Sequence, residues 1–84
     1  MAIVVLTPAA VEQLEGLSNP MHSRILKLLL RLEQWPQVSG AKPLSGNLTG
    51  CYRMRTGDYR IQFRVADNQV TLEKIGHRDG FYEE

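Results

Sequence analysis

The residues best able to do chemistry in this chain are four arginines, Arg53, Arg55, Arg60 and Arg64, set on either side of the dipeptide Gly57-Asp58. Strict alternation on both sides of that dipeptide predicts a β-hairpin with Gly57-Asp58 as its two-residue loop. This register pairs Thr56 with Tyr59, Arg55 with Arg60, Met54 with Ile61, and Tyr52 with Phe63. Side chains alternate sides along a strand, so Tyr52, Met54, Ile61, Phe63 and Val65 form one apolar face. Arg53, Arg55, Arg60 and Arg64 form the other, beside Gln62. Like charges placed opposite each other destabilise a sheet, so a hairpin selected for stability alone would carry Glu or Thr opposite Arg55. Guanidinium groups are planar, permanently charged and suited to bidentate contacts with phosphate oxygens. The pattern points to an anion-binding face, with RNA or DNA phosphate as the anion; the competing reading is an ordinary solvated sheet face.

Eighty-four residues make one domain spanning 1–84, with a single core of marginal size. The net charge of +1 argues against a bulk nucleic-acid coat, but six of the ten lysines and arginines lie at or beyond Arg53, which focuses positive charge on the C-terminal half. The single cysteine, Cys51, rules out an internal disulfide, and two histidines 55 positions apart make a metal site unexpected. No cofactor is expected either. The apolar opening Met1–Leu6 lacks a basic start and runs into Thr7-Pro8, and no run approaches the roughly 18 apolar residues of a membrane span. The expected location is cytoplasmic, with no membrane partner.

The elements that must position the arginines follow from the same pattern. Ile3–Leu6 reads as a short buried strand. Thr7 caps a helix with Pro8 at its first position, running to about Leu17 with Ala10, Val11, Leu14 and Leu17 inward and Glu12, Gln13 and Glu15 towards water. Asn19-Pro20 repeats the signal and opens a second helix to about Gln34. Its apolar residues cover roughly 200° of the wheel at about 100° per residue, enough to pack on the sheet and the first helix together, or to leave part of the stripe for a partner protein. Trp35 is expected to staple the end of this helix to the core, His22 to lie on the surface, and Gln37–Asn47 to form a loop. After the hairpin, Asp67-Asn68 makes a second turn into a strand from Val70 to Ile75. Its alternation slips at Lys74, leaving Ile75 on the polar side; a bulge near Glu73 or a second buried patch would each account for this. The order is β-α-α-β-β-β, which implies an α+β two-layer fold with a helical hairpin packed on one face of an antiparallel meander, the arginines facing away from the helices.

The string Lys42–Leu48, then Gly50–Ile61, then Ile75-Gly76-His77-Arg78 and Tyr82, closely resembles the RelE/ParE superfamily of type II toxin–antitoxin toxins. The resemblance covers essentially the whole chain. It implies a toxin neutralised by a cognate antitoxin that brings a helix to apolar surface and acidic residues to the arginine face. In the RelE branch it implies a ribosome and mRNA as partners and a metal-independent endoribonuclease activity inhibiting translation, in which the ribose 2′-hydroxyl attacks the adjacent phosphate. In the ParE branch it implies inhibition of DNA gyrase without catalysis; an attenuated toxin-fold protein acting only as a binding partner is the third reading. Matched position by position, the resemblance assigns Arg53 and Arg55 to RNA or phosphate binding and Arg60, Arg78 and Tyr82 to catalysis; Arg64 and Lys42 are expected as further RNA or phosphate contacts, and His77 joins the expected catalytic set on its own chemistry. Some family members carry lysines where this chain has Arg53 and Arg55, and arginine is a poor general base. His77, with an unperturbed pKa near 6.5, is the expected proton acceptor, with Glu73 and Tyr82 in reserve. Glu73 has a competing structural reading as the ion-pair partner of an arginine.

Overall fold

The computed structural model describes residues 1–81. It contains β1 (Ile3–Leu6), α1 (Pro8–Glu15), α2 (Asn19–Leu32), β2 (Lys42–Pro43), a short 3₁₀ turn (Gly46–Leu48), β3 (Cys51–Thr56), β4 (Tyr59–Ala66) and β5 (Gln69–His77). The sheet order is β1-β5-β4-β3-β2. The expected α+β architecture is present, enlarged by one strand. Lys42-Pro43, read from sequence as part of a loop, pairs antiparallel with β3, and the sheet is mixed because β1 runs parallel to β5.

Local chemistry explains the element boundaries. Thr7 is an extended N-cap whose Oγ1 accepts from the Ala10 N–H at 3.1 Å, and Pro8 follows it where a missing N–H costs nothing. The cap of α2 is Ser18, one residue earlier than the sequence reading, so Asn19 and Pro20 occupy its first turn. Both helices end about two residues before their expected limits, α1 at Glu15 and α2 at Leu32. The two hairpin loops turn on a positive φ at their first residue, Gly57 at 58° and Asp67 at 55°; Gly and Asp tolerate that region better than branched residues.

The core lies between the helices and one sheet face. Ala10, Ile25, Leu28 and Leu32 pack with Met54, Ile61, Phe63, Val70, Leu72 and Ile75, all buried. Complete burial of side chains such as Ile61 and Phe63 stabilises by about 1.5–3 kcal/mol each. Trp35 closes one end as expected, edge-on to Tyr52 (centroids 4.7 Å) and to Phe63 (5.5 Å).

The register of β5 settles the slip at Lys74. Phe63 pairs with Leu72 but Gln62 pairs with Lys74, so Glu73 is the extra residue of a β-bulge. The bulge returns Ile75 to the core opposite Ile61, and no second buried patch is needed. Beyond Leu72, β5 has no strand neighbour on its outer edge, because β1 ends at Leu6. Buried backbone groups there need other partners. The Thr7 hydroxyl donates to the Glu73 carbonyl at 3.4 Å, and Gln13 Oε1 accepts from the Ile75 N–H at 2.7 Å. Gln13, expected to face water, thus ties α1 to the strand that carries the bulge.

Candidate functional site

The face of the sheet away from the helices carries the basic residues in transverse rows. Lys42 pairs with Arg53, Arg53 with Gln62, and Gln62 with Lys74, giving one row across four strands. Beside it run Arg55, Arg60 and Gly76; on the other side run Cys51, Arg64 and Thr71. The hairpin register is the one expected from alternation, and it brings Arg53, Arg55, Arg60, Arg64 and Lys42 onto one surface. Gly40, Lys42, Arg53, Met54 and Arg55 line a small recess of about 30 Å³, about the volume of one water. Lys74, absent from the expected site, joins this surface because the bulge turns it there. The broken alternation was the only signal of it in the sequence.

The rows differ in electrostatics. Glu73 Oε2 lies 3.4 Å from Arg64 Nε, while its Oε1 accepts from Gln62 Nε2 at 3.3 Å and from Cys51 Sγ at 3.5 Å. The structural reading of Glu73 as an arginine's partner is therefore present, and that partner is Arg64, on the margin of the face. Cys51 is fully buried, and burial, reinforced by the neighbouring Glu73 carboxylate, pushes its thiol pKa up. A thiol kept protonated is no nucleophile. Arg60 differs from the exposed Arg55: its Nη1 is buried and has no hydrogen-bond partner among the described residues.

The residues after β4 are distributed less simply. Gly76 lies opposite Arg60 on the basic face, and His77, one residue on, lies opposite Tyr59 on the helix side. The His77 ring meets Tyr59 edge-on with centroids 5.4 Å apart, and its Nδ1 accepts from the Asp79 N–H at 3.2 Å. His77 is thus not brought together with the arginines. Arg78 sits at the hairpin tip, where its N–H donates to the Asp58 carbonyl at 2.7 Å and its Nε lies 3.5 Å from Asp79 Oδ1 and 3.9 Å from Asp58 Oδ1. Tyr82 lies outside the described residues. Among the described residues no group of three or more His, Cys, Asp or Glu could hold a metal.

The family model described as ParE toxin of type II toxin–antitoxin system, parDE, matches residues 4–80. The chain belongs to this toxin family. Among solved structures the toxin is similar to the archaeal RelE–RelB complex from Pyrococcus horikoshii OT3, with 28% identity, a TM-score of 0.77, and coverage of 92% of this chain and 94% of that one. It is similar in fold to the toxin–antitoxin complex RelBE2 from Mycobacterium tuberculosis (24% identity, TM-score 0.79, 92% and 91% covered). The isolated E. coli RelE toxin also shares the fold (20% identity, TM-score 0.79, 92% and 84% covered). None of the curated proteins matches. The chain is a toxin of a type II toxin–antitoxin system of the RelE/ParE family.

Proposed function

We propose that this toxin cleaves mRNA on the ribosome. The observation that carries the reading is the row Lys42–Arg53–Gln62–Lys74 lying against the pair Arg55–Arg60, a concentration of cationic hydrogen-bond donors on one open sheet face. Such donors suit the phosphate of a single-stranded RNA and the extra negative charge that develops when a ribose 2′-oxygen attacks it. In the reaction the 2′-oxygen loses its proton and bonds to phosphorus, the bond to the 5′-oxygen breaks, and that oxygen takes up a proton. The products are a 2′,3′-cyclic phosphate and a 5′-hydroxyl. Arg53, Arg55 and Arg60 hold the phosphate, and Lys42 and Arg64 extend the contact along the strand. His77 faces away, so the proton donor and acceptor on this surface are Lys74 and Glu73, adjacent in sequence and both on the basic face, Glu73 by alternation from Thr71 and Lys74 because of the bulge. Arg78 at the hairpin tip adds positive charge, and Tyr82 retains the stacking or proton-donating role that the family resemblance gives it.

A second reading, inhibition of DNA gyrase by binding alone, is favoured by the match to the ParE model. A supercoiling assay separates the two: the RNA reading expects gyrase to remain active at toxin concentrations that stop translation, and inhibition of supercoiling with translation intact would reverse the assignment.

Either activity calls for a cognate antitoxin. Val4, Leu6, Leu26, Leu29, Leu30 and Glu33 line a groove of about 310 Å³ between β1 and α2, and Leu30 on its rim is 63% exposed. That groove accepts the apolar stripe of an antitoxin helix, which fits the second of the two explanations for the broad α2 stripe, a surface left for a partner protein. Co-purification with the product of the adjacent reading frame, weakened by Leu30→Glu, tests the placement; a toxin that stays active beside that product would count against it.

A further inference from the structure

The basic face carries an aromatic ring that the charged rows do not explain. Phe81 is 1% exposed although Arg78, Asp79 and Gly80 before it are exposed. It does not belong to the core cluster that contains Phe63, the other fully buried phenylalanine. Its seat is Gly76: a Cβ at that position would lie 3.2 Å from Phe81 Cδ1, so even the smallest side chain there would press the ring back by a few tenths of an ångström. The backbone at Gly76 does not call for glycine, since its φ is outside the left-handed range. Lys74 holds the ring from one side, with Nζ 4.6 Å from its centroid and donating to the Phe81 carbonyl. Directly across the strand from Gly76 stands Arg60 with its buried Nη1.

We propose that the recess over Gly76 is a nucleobase subsite, which the free toxin fills with its own Phe81. The proposal rests on the reading of the basic face as an RNA site and names what one part of it binds. A nucleotide brings a flat ring and a phosphate on one short framework. The ring replaces Phe81 on Gly76, keeping the ammonium of Lys74 over its face, and the phosphate supplies the acceptor for Arg60. Base–aromatic and base–cation contacts tolerate every base, because each has a π-face, so this subsite holds RNA without selecting its sequence. Phe81 is then a competitor that RNA must displace.

The chain has two phenylalanines, so labelling with 4-fluorophenylalanine gives two ¹⁹F resonances, assigned by Phe81→Leu. Titration with a short oligouridylate should move the Phe81 resonance towards its solvent-exposed position and leave Phe63 in place. Phe81→Ala should bind the oligouridylate about fivefold tighter than the natural chain, and Gly76→Val, which fills the recess, should cancel that gain in the double variant. RNA binding that requires Arg53 and Arg55 while the Phe81 resonance stays still would overturn the subsite and leave the RNA face standing. A double variant that keeps the gain would do the same, as would inorganic phosphate alone shifting Phe81 as far as RNA does. If neither the natural chain nor Phe81→Ala binds the oligouridylate, the subsite falls, while the RNA reading of the face is decided separately by cleavage of mRNA in a translating extract.

Discussion

Lys74 stands on the same sheet face as Arg53, with Gln62 between them, because Glu73 is the extra residue of the bulge in β5. On the proposed reading, that one inserted residue gives the arginine face a side chain able to transfer a proton. Lys74→Ala should lower mRNA cleavage about 100-fold while changing the melting temperature little. Lys74→Arg is the more informative variant. It keeps the charge but titrates far too high to exchange a proton, so it should stay as impaired as the alanine variant. Full activity in Lys74→Arg would reduce Lys74 to a charge.

Arg60 is the arginine with most to gain from a bound phosphate, since its buried Nη1 has no partner among the described residues. Arg60→Ala should reduce cleavage about 100-fold or more. Arg64→Ala, already committed to Glu73 at the margin, should reduce it by less than about tenfold. The ratio of the two cleavage rates in one translation extract checks the order.

The tie between α1 and β5 is testable by stability. Gln13→Ala leaves the Ile75 N–H without its acceptor and should cost about 1–3 kcal/mol, measured by urea denaturation. In an 84-residue domain with a total of about 4–13 kcal/mol that is a large share. Gln13→Glu keeps the acceptor and should recover most of it. Equal losses in both variants would mean that the hydrogen bond contributes little.

Much of this arrangement is written in local patterns. The Arg55–Arg60 and Met54–Ile61 pairs follow from alternation around Gly57-Asp58, and the start of α1 from Thr7-Pro8. Other features depend on contacts distant in sequence. The parallel pairing of Val4 with Val70 has no local signal, and a two-residue strand such as Lys42-Pro43 is too short for periodicity. Lys74 shows in sequence only as a break in alternation with two explanations, and the backbone register is needed to choose the bulge. The same register explains the position of His77: with Ile75 restored to the core, His77 two residues later falls on the helix side beside Tyr59. Phe81 gave no signal, because its partner is a side chain that Gly76 does not have.

Cys51 carries a pH dependence whose sign is fixed by its surroundings. Burial first, and Glu73 second, raise its thiol pKa above the ordinary 9.0. The folded state then holds the proton more tightly than the unfolded state. The associated stability is fully present below the unfolded pKa and is lost as pH rises through the folded value. Unfolding free energy should therefore fall on going above about pH 9, and Cys51→Ala should flatten that limb. At neutral pH, Cys51 should react with thiol reagents far more slowly than a free cysteine until urea is added. Rapid labelling of the folded toxin would contradict the burial and the neighbouring carboxylate as its causes.

The most direct test of the RNA reading is to map mRNA ends by primer extension after adding purified toxin to a translating extract, with Arg60→Ala in parallel. The expected result is cuts within the codon in the ribosomal A site, a 2′,3′-cyclic phosphate on the upstream fragment, and neither with Arg60→Ala. Intact mRNA in the presence of a toxin that blocks gyrase supercoiling would contradict it.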